Sequence, residues 1–303
     1  MHFTKLAPGA PTSNGVTIQP RRFRFKGYDS VPLLWMGDSV WFTQLFNALS
    51  ILIPEAERFM IKAMRRAVES VDDDALQDEC RAFIIQEAHH HKIHDQLNEV
   101  LIRQGYSLQG DIRETKRLFK FFGKLPLRFQ LAISCALEHL TATLSSLGLS
   151  EMDGFFEIGH PKMFDLWQWH GAEELEHKTV MYDLYYKVGG GYLQRVTAAV
   201  LTLLIGGFYL FVIHLRLMRQ HHRMEDLSHL SDPTKQKSYV RVCYEQMLKR
   251  FSKRFFKLML AYFRPGFHPL DIDDSKALKN WYQITKTLDK DSVTLQQVSS
   301  LET

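Results

Sequence analysis

Apolar runs longer than a β-strand dominate this chain, and only 10 Pro and 17 Gly interrupt its 303 residues, a pattern that favours helices. A first helix is expected to begin near Asp38-Ser39, which can cap its free N–H groups, and to run through Glu55 to about Ser70. Pro54 lies inside that pattern and predicts a kink or a join, because it removes a hydrogen bond and crowds the preceding turn. Asp72-Asp73-Asp74 places negative charge at the start of a second helix that reaches about Gln104, before Gly105. A basic and aromatic stretch, Arg113 to Lys124, reads as a linker to Pro126, and a third helix follows to about Leu147. Turn residues fill Gly148 to Pro161, and a fourth helix runs on to the stop at Gly189-Gly190-Gly191.

Beyond the glycines the pattern changes. Val196 to Ile213 is 18 residues without a charge, closed by Arg195 on one side and by His214, Arg216, Arg219 and Arg223 on the other. Ser238 to Phe263 predicts a basic amphipathic helix with Phe251, Phe255, Leu258, Met259 and Tyr262 at helical spacing. The tail from Asp289 is polar. Three units are expected: an N-terminal arm over 1–36, a helical bundle over 37–191, and an apolar helix with a basic helical region over 192–303.

Composition sharpens this picture at three points. At 45% apolar and 24% charged the chain can bury a sizeable core and is not disordered. Cys80, Cys135 and Cys243 stand far apart, so they read as free packed thiols and not as a disulfide framework or zinc site. From Arg195 to Arg264, 13 Lys and Arg oppose four acids, which suits an anionic membrane surface; no reading motif accompanies the charge, so no nucleic acid is expected. The first 26 residues are polar and basic with no apolar core, so no secretory signal is expected.

The candidate chemistry lies in histidine and glutamate, and eight of the 14 histidines fall between His89 and His177. Glu55 precedes Glu87-x2-His90 by 32 positions, and Glu138 precedes Glu174-x2-His177 by 36. Each half thus offers a lone Glu on one helix and a Glu-x2-His pair on the next. Residues three apart share a helix face, so Glu87 with His90 and Glu174 with His177 can each grip a metal, while Glu55 and Glu138 bridge or cap the ions. His170, one turn before Glu174, is a candidate seventh ligand. His94, one turn beyond His90, is a candidate ligand or a donor to one. Glu173 and Glu176 are the alternative registers on the fourth helix, and Glu173 could replace Glu174.

These residues resemble the pattern of the ferritin-like superfamily over about 50–190, which implies an all-α, ferritin-like four-helix bundle around a dimetal core. Glu87-Ala-His-His-His-Lys-Ile-His94, Gly171-Ala-Glu-Glu-Leu-Glu-His-Lys178 and Phe263-Arg-Pro-Gly-Phe-His-Pro269 resemble a bacterial family labelled "predicted metal-dependent hydrolase". The His170-Glu174-His177 stripe is also similar to arylamine N-oxygenases, which implies oxygen activation.

Three functions are open at this point. A glutamate-rich pair favours two iron ions that activate O₂ to oxidise an apolar or lipid-like small molecule, with an external electron donor. Tyr182 and Tyr185 are candidate proton donors in that scheme. With Mn or Zn instead, the alternative is hydrolysis through a metal-bound water of lowered pKa. A non-catalytic metal-binding protein is the third. The helical His-Asp phosphohydrolases invite comparison at His94-Asp95, but they need an upstream histidine, and only His2 precedes His89. The expected location is cytoplasmic and membrane-associated, and Val196 to Ile213 is long enough for a single crossing.

Overall fold

The computed structural model describes residues 18–37, 39–151, 159–225, 251–284 and 293–295. Asp38, Cys243, the first half of the expected amphipathic helix, half of the expected turn segment and most of the polar tail lie outside them. The fold is all-α. Among the described residues one small sheet pairs strand β1 (Arg21–Phe23) antiparallel with β2 (Val293–Leu295).

Helix α1 (Val40–Val68) starts where the sequence places it: the Ser39 hydroxyl accepts from the Phe42 N–H at 3.3 Å. Pro54 does not divide it, and the helix is continuous through that residue. Helix α2 (Asp74–Arg103) is capped by Asp73, which accepts from the Leu76 N–H, and gives way to Gly105 at φ +105°, a conformation that favours glycine.

The expected linker is instead a helix, α3 (Gln109–Phe122). Asp111, Thr115, Phe119 and Phe122 are buried along one face, which leaves the basic residues between them to the other side. The alternation of basic and aromatic residues was the amphipathic signal itself. Helix α4 (Leu127–Glu151) extends one turn past the expected end. The expected fourth helix is two, α5 (Pro161–His177) and α6 (Val180–Lys187), parted at Lys178, whose ammonium bonds the Ile272 carbonyl and Asp274. Helix α7 (Tyr192–Glu225) is much longer than its apolar centre. Residues 251–261 are helical, and α8 (Ser275–Ile284) packs on α4 and α5.

Four helices position the site. Helix α1 packs along α2, α4 along α5, α1 against α4, and α2 against α5, so the pairings close a ring. Helix α7 packs outside it, on α4 and α1. A large apolar cluster fills one end with side chains from α1, α2, α4, α6 and α7, including Met64, Phe83, Leu131, Leu184 and Ala198. A second, around Trp35, Leu97, Trp169 and Trp281, fills the other. Cys80 and Cys135 are free and buried in the first cluster.

Candidate metal centre

Polar side chains converge between these two apolar clusters. Glu57 from α1, Glu87 and His90 from α2, and His170, Glu174 and His177 from α5 are all buried there. Their donor atoms form two groups: Glu57, His90, His170 and Glu174 in one, and Glu87, His90, Glu174 and His177 in the other. The atoms of each group lie within 4.8 Å of one another.

The α1 carboxylate of this cluster corrects the expectation for Glu55. Two residues along a helix turn the side chain by about 200°, so Glu55 and Glu57 cannot share a face. Glu55 is half-buried at the flank and accepts from Arg58 at 2.9 Å, and Arg58 also pairs with Asp95. Glu57 continues the buried stripe of Asn47, Ser50, Pro54, Ile61 and Met64. Asn47 and Ser50 are polar, so hydropathy alone does not mark this stripe; the packing of α1 does.

The remaining expected residues lie as follows. Glu174 Oε1 is 3.0 Å from His170 Nε2, 3.4 Å from His90 Nδ1 and 3.9 Å from His177 Nε2. Glu87 Oε1 is 3.2 Å from His177 Nε2 and 3.7 Å from His90 Nδ1. Glu57 Oε1 stands 3.8 Å from His170 Nε2 and 3.9 Å from His90 Nδ1. Glu138 lies behind His177, with Oε2 3.1 Å from Nδ1, and belongs to neither donor group in this arrangement. His94 lies behind His170, Nε2 to Nδ1 at 2.9 Å, and is also outside both groups.

Each imidazole therefore has an inner and an outer nitrogen. The outer ones are held: His90 Nε2 by Glu173 at 3.0 Å, His177 Nδ1 by Glu138, and His170 Nδ1 by His94. Behind His94 the chain continues from Nδ1 to Ser50 Oγ at 3.0 Å, and the Ser50 hydroxyl donates to Asn98 Oδ1. The inner nitrogens face carboxylates. An outer partner that fixes ring orientation and tautomer is the ordinary arrangement behind a metal-bound histidine.

Sequence reasoning did not assign Glu173 this role, and it missed Arg21 altogether. The Arg21 guanidinium pairs with Glu176 and Glu173, and its backbone N–H donates to Glu173 at 3.0 Å. Strand β1 thus holds the carboxylate that holds His90. The acids at 173 and 176 are fully buried, and no feature of the N-terminal arm announced their partner. Gly171 lets α5 approach α4 closely, since a Cβ there would stand 3.1 Å from Ser145 Oγ. Trp169 meets the His90 ring edge-on at 4.9 Å, and Phe83 meets His177 at 4.6 Å, so apolar rings wall the cluster.

The residues present fit a cation. Glu57 Oε2, both Glu87 oxygens, Glu174 Oε2, His90 Nδ1 and His177 Nε2 are buried with no hydrogen-bond partner. Each such group left alone costs on the order of 1–3 kcal/mol, and more when charged. The electrostatics agree. Burial, then the nearby Glu87 charge, pushes Glu57 well above the usual carboxylate range. Burial would lower His90 and His177, but carboxylate contacts outweigh it and raise both, so the cluster attracts positive charge.

An all-helical protein whose core carboxylates and imidazoles can hold a metal ion is the class that fold and site define. The chain belongs to the family described as "Predicted metal-dependent hydrolase", whose model matches residues 19–273. The match includes Arg21 and every residue of the cluster. No curated protein and no solved structure matches the chain.

Proposed function

We propose that this protein is a metal-dependent hydrolase built on a two-ion carboxylate–histidine centre. The observation that carries the reading is the pair of donor groups sharing His90 and Glu174, in which Glu57, Glu87, His90, Glu174 and His177 each keep a buried donor atom without a hydrogen-bond partner. An imidazole offers a single inner lone pair, so His90 serves one ion only, whereas Glu174 has two oxygens and can bridge. Glu57, His90 and His170 would hold one ion, Glu87 and His177 the other. When bound, the ions supply a Lewis acid and an acidified water as nucleophile near neutral pH. Glu173, His94 and Glu138 orient the three imidazoles from behind, and Trp169 and Phe83 keep bulk water from the ring faces. The family's description supports hydrolysis.

Oxygen activation by an iron pair is the second reading, favoured by the three carboxylates in the cluster, which tolerate an oxidised pair. The test is metal analysis of the purified protein alongside Glu57→Gln and Glu55→Gln, with hydrolysis of activated esters and phosphoesters and O₂ uptake measured on each. The expected result is two ions per chain, hydrolysis that follows metal content, loss of both in Glu57→Gln, and retention in Glu55→Gln. Two irons with O₂ uptake and no hydrolysis would move the assignment to oxygen activation. Equal loss in both variants would sink the Glu57 assignment.

A further inference from the structure

Helix α7 has two unlike faces. Ala198, Ala199, Thr202, Ile213 and Leu217 are buried on the side that packs on α4 and α1. The His214 imidazole meets the Trp41 carbonyl at 3.1 Å, and Arg216 pairs with Asp111 and Glu114. The opposite side exposes Leu193, Val200, Leu204, Phe208 and Phe211 at intervals of three, four or seven. Leu204, Phe208 and Phe211 are 66%, 64% and 59% exposed. Arg195 and Tyr192 tie the start of α7 to the carbonyls of Tyr262, Phe263 and Arg264. The helical stretch 251–261 that precedes those carbonyls exposes Phe256 and Leu260, with Lys253 and Lys257 exposed on the same stretch. Contiguous exposed apolar surface rimmed by charge marks an interaction site.

The charge selects the occupant. No Asp or Glu occurs between Tyr192 and Met224, while Arg219 and Arg223 stand exposed at the end of the apolar stripe. A second copy of this chain would bring only Glu225, at the last position of α7, to meet these cations and would add as many cations of its own, whereas an anionic lipid surface meets all of them. The packing selects the geometry. A helix that crossed a bilayer on its own would expose Thr202 and give up the contacts of His214 with Trp41 and of Arg216 with Asp111 and Glu114. A helix lying in the interface keeps those contacts and immerses only its outer face.

We propose that α7 and the 251–261 stretch seat this protein on an anionic bilayer surface, with α7 in the plane of the interface and not across it. The seating does not depend on the reaction at the metal centre.

The test is flotation of the full-length, metal-loaded protein with vesicles of phosphatidylcholine alone or mixed with phosphatidylglycerol. The protein floats with the mixed vesicles, weakly with the neutral ones, and is released by high salt or alkaline carbonate. The triple variant Leu204→Gln/Phe208→Gln/Phe211→Gln lowers the bound fraction by about tenfold or more, with helical circular dichroism and metal content unchanged. Arg219→Glu/Arg223→Glu, which leaves the apolar face intact, abolishes the preference for phosphatidylglycerol. No flotation on either lipid overturns the proposal, as does protein that resists carbonate. A triple variant that dissociates a dimer while floating normally assigns the face to a second copy instead.

Discussion

The centre depends on which nitrogen of each histidine faces inward. His170 illustrates the logic. If its Nε2 binds a cation beside Glu174, its Nδ1 carries the proton and donates to His94 Nε2. His94 Nδ1–H then donates to Ser50, whose hydroxyl already donates to Asn98. Burial, followed by the His170 and His90 charges, holds His94 well below the usual imidazole range, so it stays neutral and able to accept. His94→Ala is expected to weaken metal binding about 10- to 100-fold without emptying the site, because an orienting partner is lost and not a ligand. Competition with a chromophoric chelator measures this, and complete loss of metal would make His94 a ligand. At this scale the sequence was legible where two residues share a spacing on one helix, as at Glu87-x2-His90 and Glu174-x2-His177. A lone glutamate has no partner on its own helix to fix its register, so the expectation fell on Glu55, beside the apolar run Ile51 to Pro54, and not on Glu57.

Helix α5 carries more of the centre than any other element, and it is charged on two sides. His170, Glu174 and His177 face α1 and α2, while Glu173 and Glu176 turn towards β1. A helix this deeply buried with acids on both sides calls for a cation on each: a metal ion would stand on one, and Arg21 stands on the other. Arg21→Met removes the second and leaves Glu173 and Glu176 buried without their charge partner. The expected cost is about 3–5 kcal/mol, read from denaturant unfolding. Metal affinity falls with it, because Glu173 no longer holds His90 in place. Unchanged stability would mean that Gln86 and Tyr282, which also contact Glu176, suffice to satisfy it. The helices α1 and α2 were readable from their caps and glycine. Helix α3 was not, because its basic face has the composition of a linker.

The whole molecule is organised around polar atoms that its own fold does not satisfy. Two apolar clusters flank the carboxylate–histidine layer, so a bound cation would link α1, α2 and α5 at their least compatible point. Stripping the metal with a chelator is expected to lower the melting temperature. Restoring it to about 1,000 times its dissociation constant adds back about 4 kcal/mol. Calorimetry of apo and reloaded protein measures the difference, and identical melting curves would argue against a cation at the centre. The same scale decides the role of the apolar segment. Read alone, Val196 to Ile213 is long enough to cross a bilayer; packed against α1 and α4, it is a helix with one face committed and one free.

The sequence by itself determined the all-α class, the ends of α1 and α2, and the Glu-x2-His pairs. All of these are local: caps, glycine and helical periodicity act within a few residues of where they are written. The tertiary structure decided the rest. Whether Glu57 or Glu55 enters the core, that Glu138 and His94 stand behind imidazoles, and that Arg21 reaches across to Glu173 depend on which helix faces which. Those contacts join residues up to 152 positions apart, and no local propensity encodes a distance across the core.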